Sequence, residues 1–436
     1  MIHAIRSSAG IPDKRECITT MRNVKKHMMS KVAELLKGEH VCITSDGWTS
    51  CANDTYMSLT VSLITRGWEL ITLSVDCSKS TGTTSGEALA AGITAEIAKH
   101  DIGGKVTTIT TDCEPSMVKM GRLLEENGVC THVGCCNHRL ESTTSLAFNG
   151  PGVKTTMTLA RGLVSWYATS CQMGDRLAQF IKIYLGSDNK RPIQDVVTRW
   201  WSSCAMGSRL VELKEPIMKH EEDDKLEPIL KAEHWAVLEM ILAILEPFKQ
   251  TQTLLEGRKY ARAAAMPCVK ALQKDFIDRW GDGSDILTYK EGLRRQPRGF
   301  KSVQVLATAL DPRTKMLYGI SEDQHADVWQ LVQSEAVKVA LANRQEKNST
   351  GGVSQPSTGD HGSGGANQDS EEEEEDESEE NQDERKSSRV YLDPLDWWRV
   401  KSADFPYLAI LARRVLAIPA TQAESARLFS CGKFCD

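Results

Sequence analysis

Two acidic residues in matching surroundings are the part of this chain best suited to chemistry. Asp46 follows the apolar, β-type run Val41-Cys42-Ile43-Thr44, inside the string Thr44-Ser45-Asp46-Gly47-Trp48-Thr49-Ser50. Asp112 follows a second such run, Val106 to Thr111, sixty-six residues later. If the two runs are neighbouring strands of one sheet, both carboxylates sit at strand ends and converge at the sheet's edge. There they can share divalent metal ions, the arrangement that metal-assisted phosphoryl transfer needs. Taken singly, either acid reads as a turn residue, since Asp-Gly is a common turn dipeptide.

The pair therefore depends on the elements that carry it. Ahead of Asp46, the segment Asn23 to Lys37 places Val24, Met28, Val32, Leu35 and Leu36 on one helical face. Strand signals follow at Val41 to Ser45, Tyr56 to Ile64 and Glu69 to Val75. An Ala-rich helix from about Ser85 to Lys99 comes next and closes before Gly103-Gly104. A strand at Val106 to Thr111, a helix at Glu114 to Glu126 and a short strand around Val129 to Val133 complete the order βββαβαβ. With one Asp on the first strand and another just after the fourth, this is the opening of an α/β, RNase H-like fold. Past Leu140 the pattern turns helical for about two hundred residues. Gly162 to Tyr167, Arg176 to Tyr184, Ala205 to Lys219, His234 to Glu256 and Ala263 to Trp280 all carry apolar residues at three and four spacing. The last helix of an RNase H-like fold, which brings a third carboxylate, has to follow this insertion.

At 436 residues and 40% hydrophobic content, the chain is long enough for two or three domains. No run of 18 apolar residues occurs, so no transmembrane helix is expected. The first fifteen residues lack the apolar stretch of a signal peptide, and the thirteen cysteines contain no Cys-x-x-Cys pair. Both features predict an intracellular protein with reduced thiols. The net charge of -6 is unevenly placed: thirteen acids and no Lys or Arg lie between Asp360 and Glu384, leaving +7 on the rest. From about Asn348 to Ser388 the composition is Gly/Ser/Asn/Gln-rich and then polyacidic, which predicts a disordered linker. Such a tract reads first as a solvated spacer, and it can also imitate DNA or meet a basic partner. The expected plan is a helical lead-in (1–40), the first part of the core (41–147), an α-helical insertion (148–345), the acidic linker (346–389) and a C-terminal region (390–436).

Six blocks in order give the chain a family resemblance. They are Asp46-Gly47-Trp48-Thr49; Thr111-Asp112 with Ser116-Met117; Cys135-Cys136-Asn137-His138-Arg139-Leu140; Thr198-Arg199-Trp200 with Ser202; Leu310-Asp311-Pro312-Arg313 with Lys315; and a C-terminal set of Asp396-Trp397-Trp398, Pro406-Tyr407-Leu408-Ala409 and Ile418-Pro419-Ala420-Thr421. Together they resemble transposases of the hAT superfamily, especially the BED-finger transposases and their domesticated derivatives. The resemblance implies a core in which two Asp and one Glu bind two Mg²⁺ or Mn²⁺ ions, with Asp46 and Asp112 as ligands. Hard octahedral Mg²⁺ prefers such all-oxygen ligands. It also implies a nuclear protein that binds DNA and itself, with Cys135 and His138 near the active site. Trp397, Trp398, Tyr407, Leu408, Leu411 and Phe429 fall in the family's dimerisation region.

The third carboxylate departs from the family pattern. The family's Ser-Glu-Arg-x-Phe-Ser reads here as Ser425-Ala426-Arg427-Leu428-Phe429-Ser430, so the Glu position is Ala426. Glu424 lies two residues earlier, about 200° away around a helix. Impaired catalysis is therefore expected, with an enzyme using Glu424 as the alternative and a protein-interaction scaffold as a third reading. No zinc-finger spacing precedes Asp46, and the C-terminal match stops at Cys435-Asp436. The reading is thus of a degenerate or truncated copy. His132, Cys135, Cys136 and His138 fall within seven residues, but no second ligand pair accompanies them, so a zinc site is not expected. For DNA, the candidates are the cluster Lys290, Arg294, Arg295, Arg298 and Lys301 and the pair Arg413-Arg414; Trp200 reads first as a core or cap residue, and the resemblance implies that it could stack on a flipped base.

Overall fold

The computed structural model describes residues 13–50, 53–79, 84–148, 150–196, 200–256, 301–317, 320–350 and 393–425. The first element is α1 (Lys14–Leu36), opened by a capping box. The Asp13 carboxylate accepts from the Glu16 amide at 2.7 Å, and the Glu16 carboxylate accepts from the Asp13 amide at 2.9 Å. Leu36 is buried where the helix meets the body, and most of the helix is exposed.

A five-stranded sheet follows, built from β1 (Val41–Thr49), β2 (Thr55–Ile64), β3 (Leu70–Lys79), β4 (Val106–Thr111) and β5 (Thr131–Gly134). Its order is β3-β2-β1-β4-β5. The first three strands form an antiparallel meander, while β4 lies parallel to β1 and β5 parallel to β4. The parallel connections need crossovers, and α2 (Gly86–Lys99) and α3 (Pro115–Glu126) supply them. Ser85 caps α2 through the Ala88 amide, and Pro115 starts α3 where a missing N–H costs nothing.

Strand alternation sends Val41 and Ile43 to one face, where they meet Leu59, Val61 and Leu63 of β2, Leu89, Ile93 and Ile97 of α2, and Met117, Met120 and Leu124 of α3. The opposite face carries Cys42, Ile64 and Val133. It is covered by α10 (Ser302–Leu310), α11 (His325–Thr350), α12 (Pro394–Lys401) and α13 (Pro406–Leu416). Between these two sets of helices in the chain lie α4 (Cys136–Ala147), α5 (Pro151–Thr169), α6 (Cys171–Leu185), α7 (Trp200–Glu212), α8 (Lys214–Asp223) and α9 (Ala232–Glu256). These six share a separate apolar cluster around Leu163, Met206, Leu238 and Phe248.

Several boundaries differ from the sequence reading. β1 runs past Ser45 to Thr49 because β2 continues beside it, with Asp46 opposite Ser58 and Gly47 opposite Met57. Asp46-Gly47 is therefore strand, not turn. The segment expected as one helix from Ala205 to Lys219 breaks at Leu213 into α7 and α8. The block expected as a single helical insertion, 148–345, divides between two apolar clusters, since α10 and α11 cover the sheet rather than joining α5 to α9. Residues 346–350, assigned to the linker by composition, complete α11. The helix expected at Ala263 to Trp280 and the rest of the acidic linker lie outside the described residues.

Candidate functional site

The parallel pairing of β1 with β4 sets Thr44 opposite Thr110. Asp46 and Asp112 each lie two residues beyond that pair, so they stand level where β4 ends and β1 continues. By alternation Asp46 belongs to the face of Thr44, and Asp112 follows the last residue of β4. A crevice beyond the carboxyl ends of parallel strands, where the neighbouring connections diverge, is a favoured ligand site in α/β sheets.

Asp46 feels the charge of Asp112. Asp46 is raised from 3.8 to about 7, chiefly by burial, then by the charge of Asp112, with Glu114 adding a smaller push. The Gly47 amide partly opposes this. Asp112 accepts a 3.0 Å hydrogen bond from the Glu114 amide, which fixes its carboxylate at the start of α3. Two level carboxylates, one of them pushed up to about 7 by burial first and by the other second, make an oxygen-rich pair of the donor type that hard divalent cations take. Among the described residues no group of three or more His, Cys, Asp and Glu side chains gathers around a metal-sized space.

The C-terminal segment crosses this same face. The Thr110 hydroxyl donates to the Pro419 carbonyl at 3.0 Å, and the Cys136 amide donates to the Ala420 carbonyl at 2.9 Å. Residues 423–425 open a helical turn, with the Ala423 amide donating to the Thr421 hydroxyl at 3.3 Å. Ser425 Oγ lies 3.0 Å from Thr44 Oγ1, which also contacts Thr60 Oγ1. The last described residue of the chain is therefore hydrogen-bonded one strand repeat from Asp46. Ala426 and Phe429 lie outside the described residues.

Cys135 directly precedes α4 and His138 lies in its first turn, beside this segment. The Cys135 amide donates to the Thr111 carbonyl at 2.7 Å. Its thiol is raised to about 11 by burial, against the pull of the His138, Gln422 and Asn137 amides. Cys135 is thus a neutral thiol joining the end of β4 to the C-terminal segment. His138 is half-buried, and its carbonyl accepts from Ser142. His132 reaches Thr111 Oγ1 at 2.9 Å, and Thr111 in turn donates to the Asp112 carbonyl at 3.0 Å. Burial lowers the His132 pKa, which favours the neutral ring. Gly121 lies so close to His132 that a Cβ there would meet the ring at 2.2 Å. Local sequence patterns did not expose the Thr44–Ser425, Thr110–Pro419 and Cys135–Gln422 links, whose partners are far apart in the chain.

The DNA candidates separate. Lys301 is paired with Glu125 at the end of α3, at 2.8 Å. Lys290, Arg294, Arg295 and Arg298 lie outside the described residues, as does the side chain of Trp200 at the head of α7. Arg413 is half-buried, and burial lowers its pKa. The dimerisation candidates serve mainly the chain's own interior. Trp398 stacks on Trp68 at 5.7 Å and donates from Nε1 to the Leu310 carbonyl at 2.8 Å. Leu411 is buried, Trp397 and Leu408 are partly buried in the same cluster, and Tyr407 is exposed.

Residues 44–137 match the family model of the ZBED1 RNase-like domain, and residues 373–435 match that of the hAT family C-terminal dimerisation region. The chain is 25% identical over 431 residues to the putative AC transposase of Zea mays, covering 89% of this chain and 53% of that protein. It is 25% identical over 344 residues to zinc finger BED domain-containing protein 4 of Homo sapiens, covering 71% and 28% respectively. A putative transcriptional regulator, tpeD, of Talaromyces stipitatus is 21% identical over 485 residues, covering 96% of this chain and 54% of its own length. The chain thus spans about half the length of two of these relatives and 28% of the human one.

Proposed function

This chain is a hAT-family, transposase-like protein, and from that premise we propose that it is a nuclear, DNA-binding, self-associating protein whose strand-cleaving chemistry is impaired. In this reading the five-stranded sheet is the RNase H-like core, and Asp46 and Asp112 are what remains of its metal site. The single observation that carries the reading is the level placement of the two carboxylates beyond the Thr44/Thr110 pair, with Ser425 held against Thr44. That arrangement supports a third ligand arriving from the segment after Ser425, where the sequence supplies Ala426.

Asp46 and Asp112 would hold a divalent ion. Such an ion supplies charge neutralisation for phosphoryl transfer and lowers the pKa of a water. To hold such an ion, Asp46, which burial and the charge of Asp112 push up to about 7, would have to be deprotonated. Thr111 and the Glu114 amide orient Asp112. Without a third carboxylate, two divalent charges are left under-neutralised, so one ion held loosely is the expected state. The mildly basic remainder of the chain supports phosphate contacts as the source of DNA affinity.

Mn²⁺ titration by calorimetry, with cleavage assays on hairpin and terminal-repeat DNA, tests the proposal. Wild type should bind one ion weakly and not cut. Ala426→Glu should raise Mn²⁺ affinity at least tenfold, while Glu424→Ala should change it less than twofold. If wild type binds two ions and cuts DNA, and Glu424→Ala abolishes both, the impaired reading is wrong and the chain is an enzyme that uses Glu424.

A further inference from the structure

One cation, Arg139, is seated at the same end of the sheet as the carboxyl pair. It closes the first turn of α4, where its amide donates to the Cys135 carbonyl at 3.2 Å. From there its half-buried guanidinium folds back over Gly134, the last residue of β5. A Cβ on Gly134 would meet Nη2, Nε and Cζ of Arg139 at 2.8, 3.1 and 3.3 Å, so three atoms of the guanidinium plane rest on bare backbone. Gly134 is not among the glycines with positive φ. The fold therefore uses a glycine here for space, to seat the cation, and not for its backbone angle.

That seat lies beside the carboxylates. Gly134 pairs with Thr111 in the parallel register of β5 with β4, and β4 lies next to β1. Adjacent strands are about 4.8 Å apart. The charges at this end of the sheet thus run Asp46 from β1, Asp112 after β4 and Arg139 on the end of β5. The guanidinium also donates to the thiol of Cys113, the residue that follows Asp112. Burial dominates the shifts of the Cys113 thiol and the His132 ring, raising the first and lowering the second, and both groups also feel Arg139 and Asp112 with opposite signs.

We propose that Arg139 binds a backbone phosphate of DNA at this edge of the sheet. A phosphodiester has two non-bridging oxygens that share one negative charge, and the planar fork of a guanidinium suits such oxygens. One oxygen can take Arg139 while the other stays open to the divalent ion that the carboxylates would hold. A neutral thiol such as Cys113 is a weak acceptor and brings no counter-charge, so a phosphate is the stronger partner. The inference rests on the DNA-binding reading above and gives it one contact, at a side chain outside the basic clusters named from the sequence.

Fluorescence anisotropy of a labelled DNA duplex with the full chain in Mg²⁺, over a series of salt concentrations, tests it. Arg139→Ala should weaken binding about five- to tenfold and flatten the slope of log affinity against log salt by about one, as one lost phosphate contact does. Arg139→Gln keeps most of the packing stem and should match it, which covers a failure of the alanine variant to fold. Arg139→Lys keeps the charge and should keep the slope. Gly134→Ala alters no charge but pushes the guanidinium off its seat, so it should weaken binding as Arg139→Ala does; added to Arg139→Ala it should cost nothing more. A wild type that does not bind the duplex overturns both this contact and the DNA-binding reading. Binding whose affinity and slope are unmoved by Arg139→Gln overturns the contact alone. So does a loss of affinity at unchanged slope, or a Gly134→Ala loss that persists in the Arg139→Ala background, because either makes the pair a packing device.

Discussion

Asp46 should make the metal-free protein less stable as pH rises, and the size of the effect follows from its surroundings. Its folded pKa is about 7 against an ordinary 3.8, with burial first and the Asp112 charge second among the causes. That gap is worth about 4 kcal/mol at 1.36 kcal/mol per pKa step, and solvent at this half-buried site screens it to about 2–4 kcal/mol. The sign is that of an acid that keeps its proton longer when folded. Between pH of about 4 and 7 the native state binds more protons than the unfolded chain, so stability falls through that window and the full cost remains above it. Asp46→Asn removes the ionisation without changing the shape. The variant should therefore be about 2–4 kcal/mol more stable than wild type at pH 8, and less than about 1 kcal/mol more stable at pH 4. Asp112→Asn removes only the second cause and should give a smaller gain. Thermal unfolding followed by circular dichroism in EDTA, at both pH values, measures this as a rise in Tm of several degrees. Equal gains at pH 4 and pH 8, or none at pH 8, would refute the placement of the two carboxylates. Mn²⁺ competes with the same proton, so its affinity for wild type should drop about tenfold per pH step below about 7.

Two further substitutions probe how the two helical layers are held. Arg161 grips buried Asp195 through Nε and Nη2 at 2.9 and 2.8 Å, and Ser203 donates to the same carboxylate at 2.7 Å. Arg161→Ala should therefore cost about 3–5 kcal/mol by stranding a buried charge, read as a fall in urea midpoint for the helical body that leaves Mn²⁺ affinity unchanged. Trp398→Ala removes the stack on Trp68 and the bond to the Leu310 carbonyl, and should cost about 3–5 kcal/mol. If Trp398 served only an interface between copies, the variant would instead lower the association constant and keep the monomer's Tm.

The sheet was legible because its strands are runs of Val, Ile and Thr bounded by turn residues, and Asp46 and Asp112 could be located relative to them. Why β1 outruns its apolar segment was not legible. The pairing of Asp46 with Ser58 and Gly47 with Met57 depends on the length of β2, which local composition around Asp46 does not report. The helices α10 and α11 show a different limit. Period reveals that a helix has an apolar face, but Leu306 and Leu310 look the same whether they meet the sheet or the helical body. The burial of Trp398 and Leu411 in their own chain was not legible for the same reason, since an aromatic or aliphatic residue fits its own core and a second copy equally well.

The third ligand position joins these two limits. The family pattern points to residue 426, and no local rule says which side of the closing turn faces Asp46. One hydrogen bond bears on that question. Ser425 spends its hydroxyl on Thr44, a residue 381 positions away. On an ideal helix successive residues step by about 100°, so Glu424 and the family's Glu position are expected to differ in direction by about 200°. Glu424 is therefore expected not to replace the missing carboxylate by a rotamer change, and Mn²⁺ affinity of Glu424→Ala tests it. To do so Glu424 would need the turn to rotate, breaking the contact of Ser425 with Thr44 and shifting the link from Thr110 to the Pro419 carbonyl.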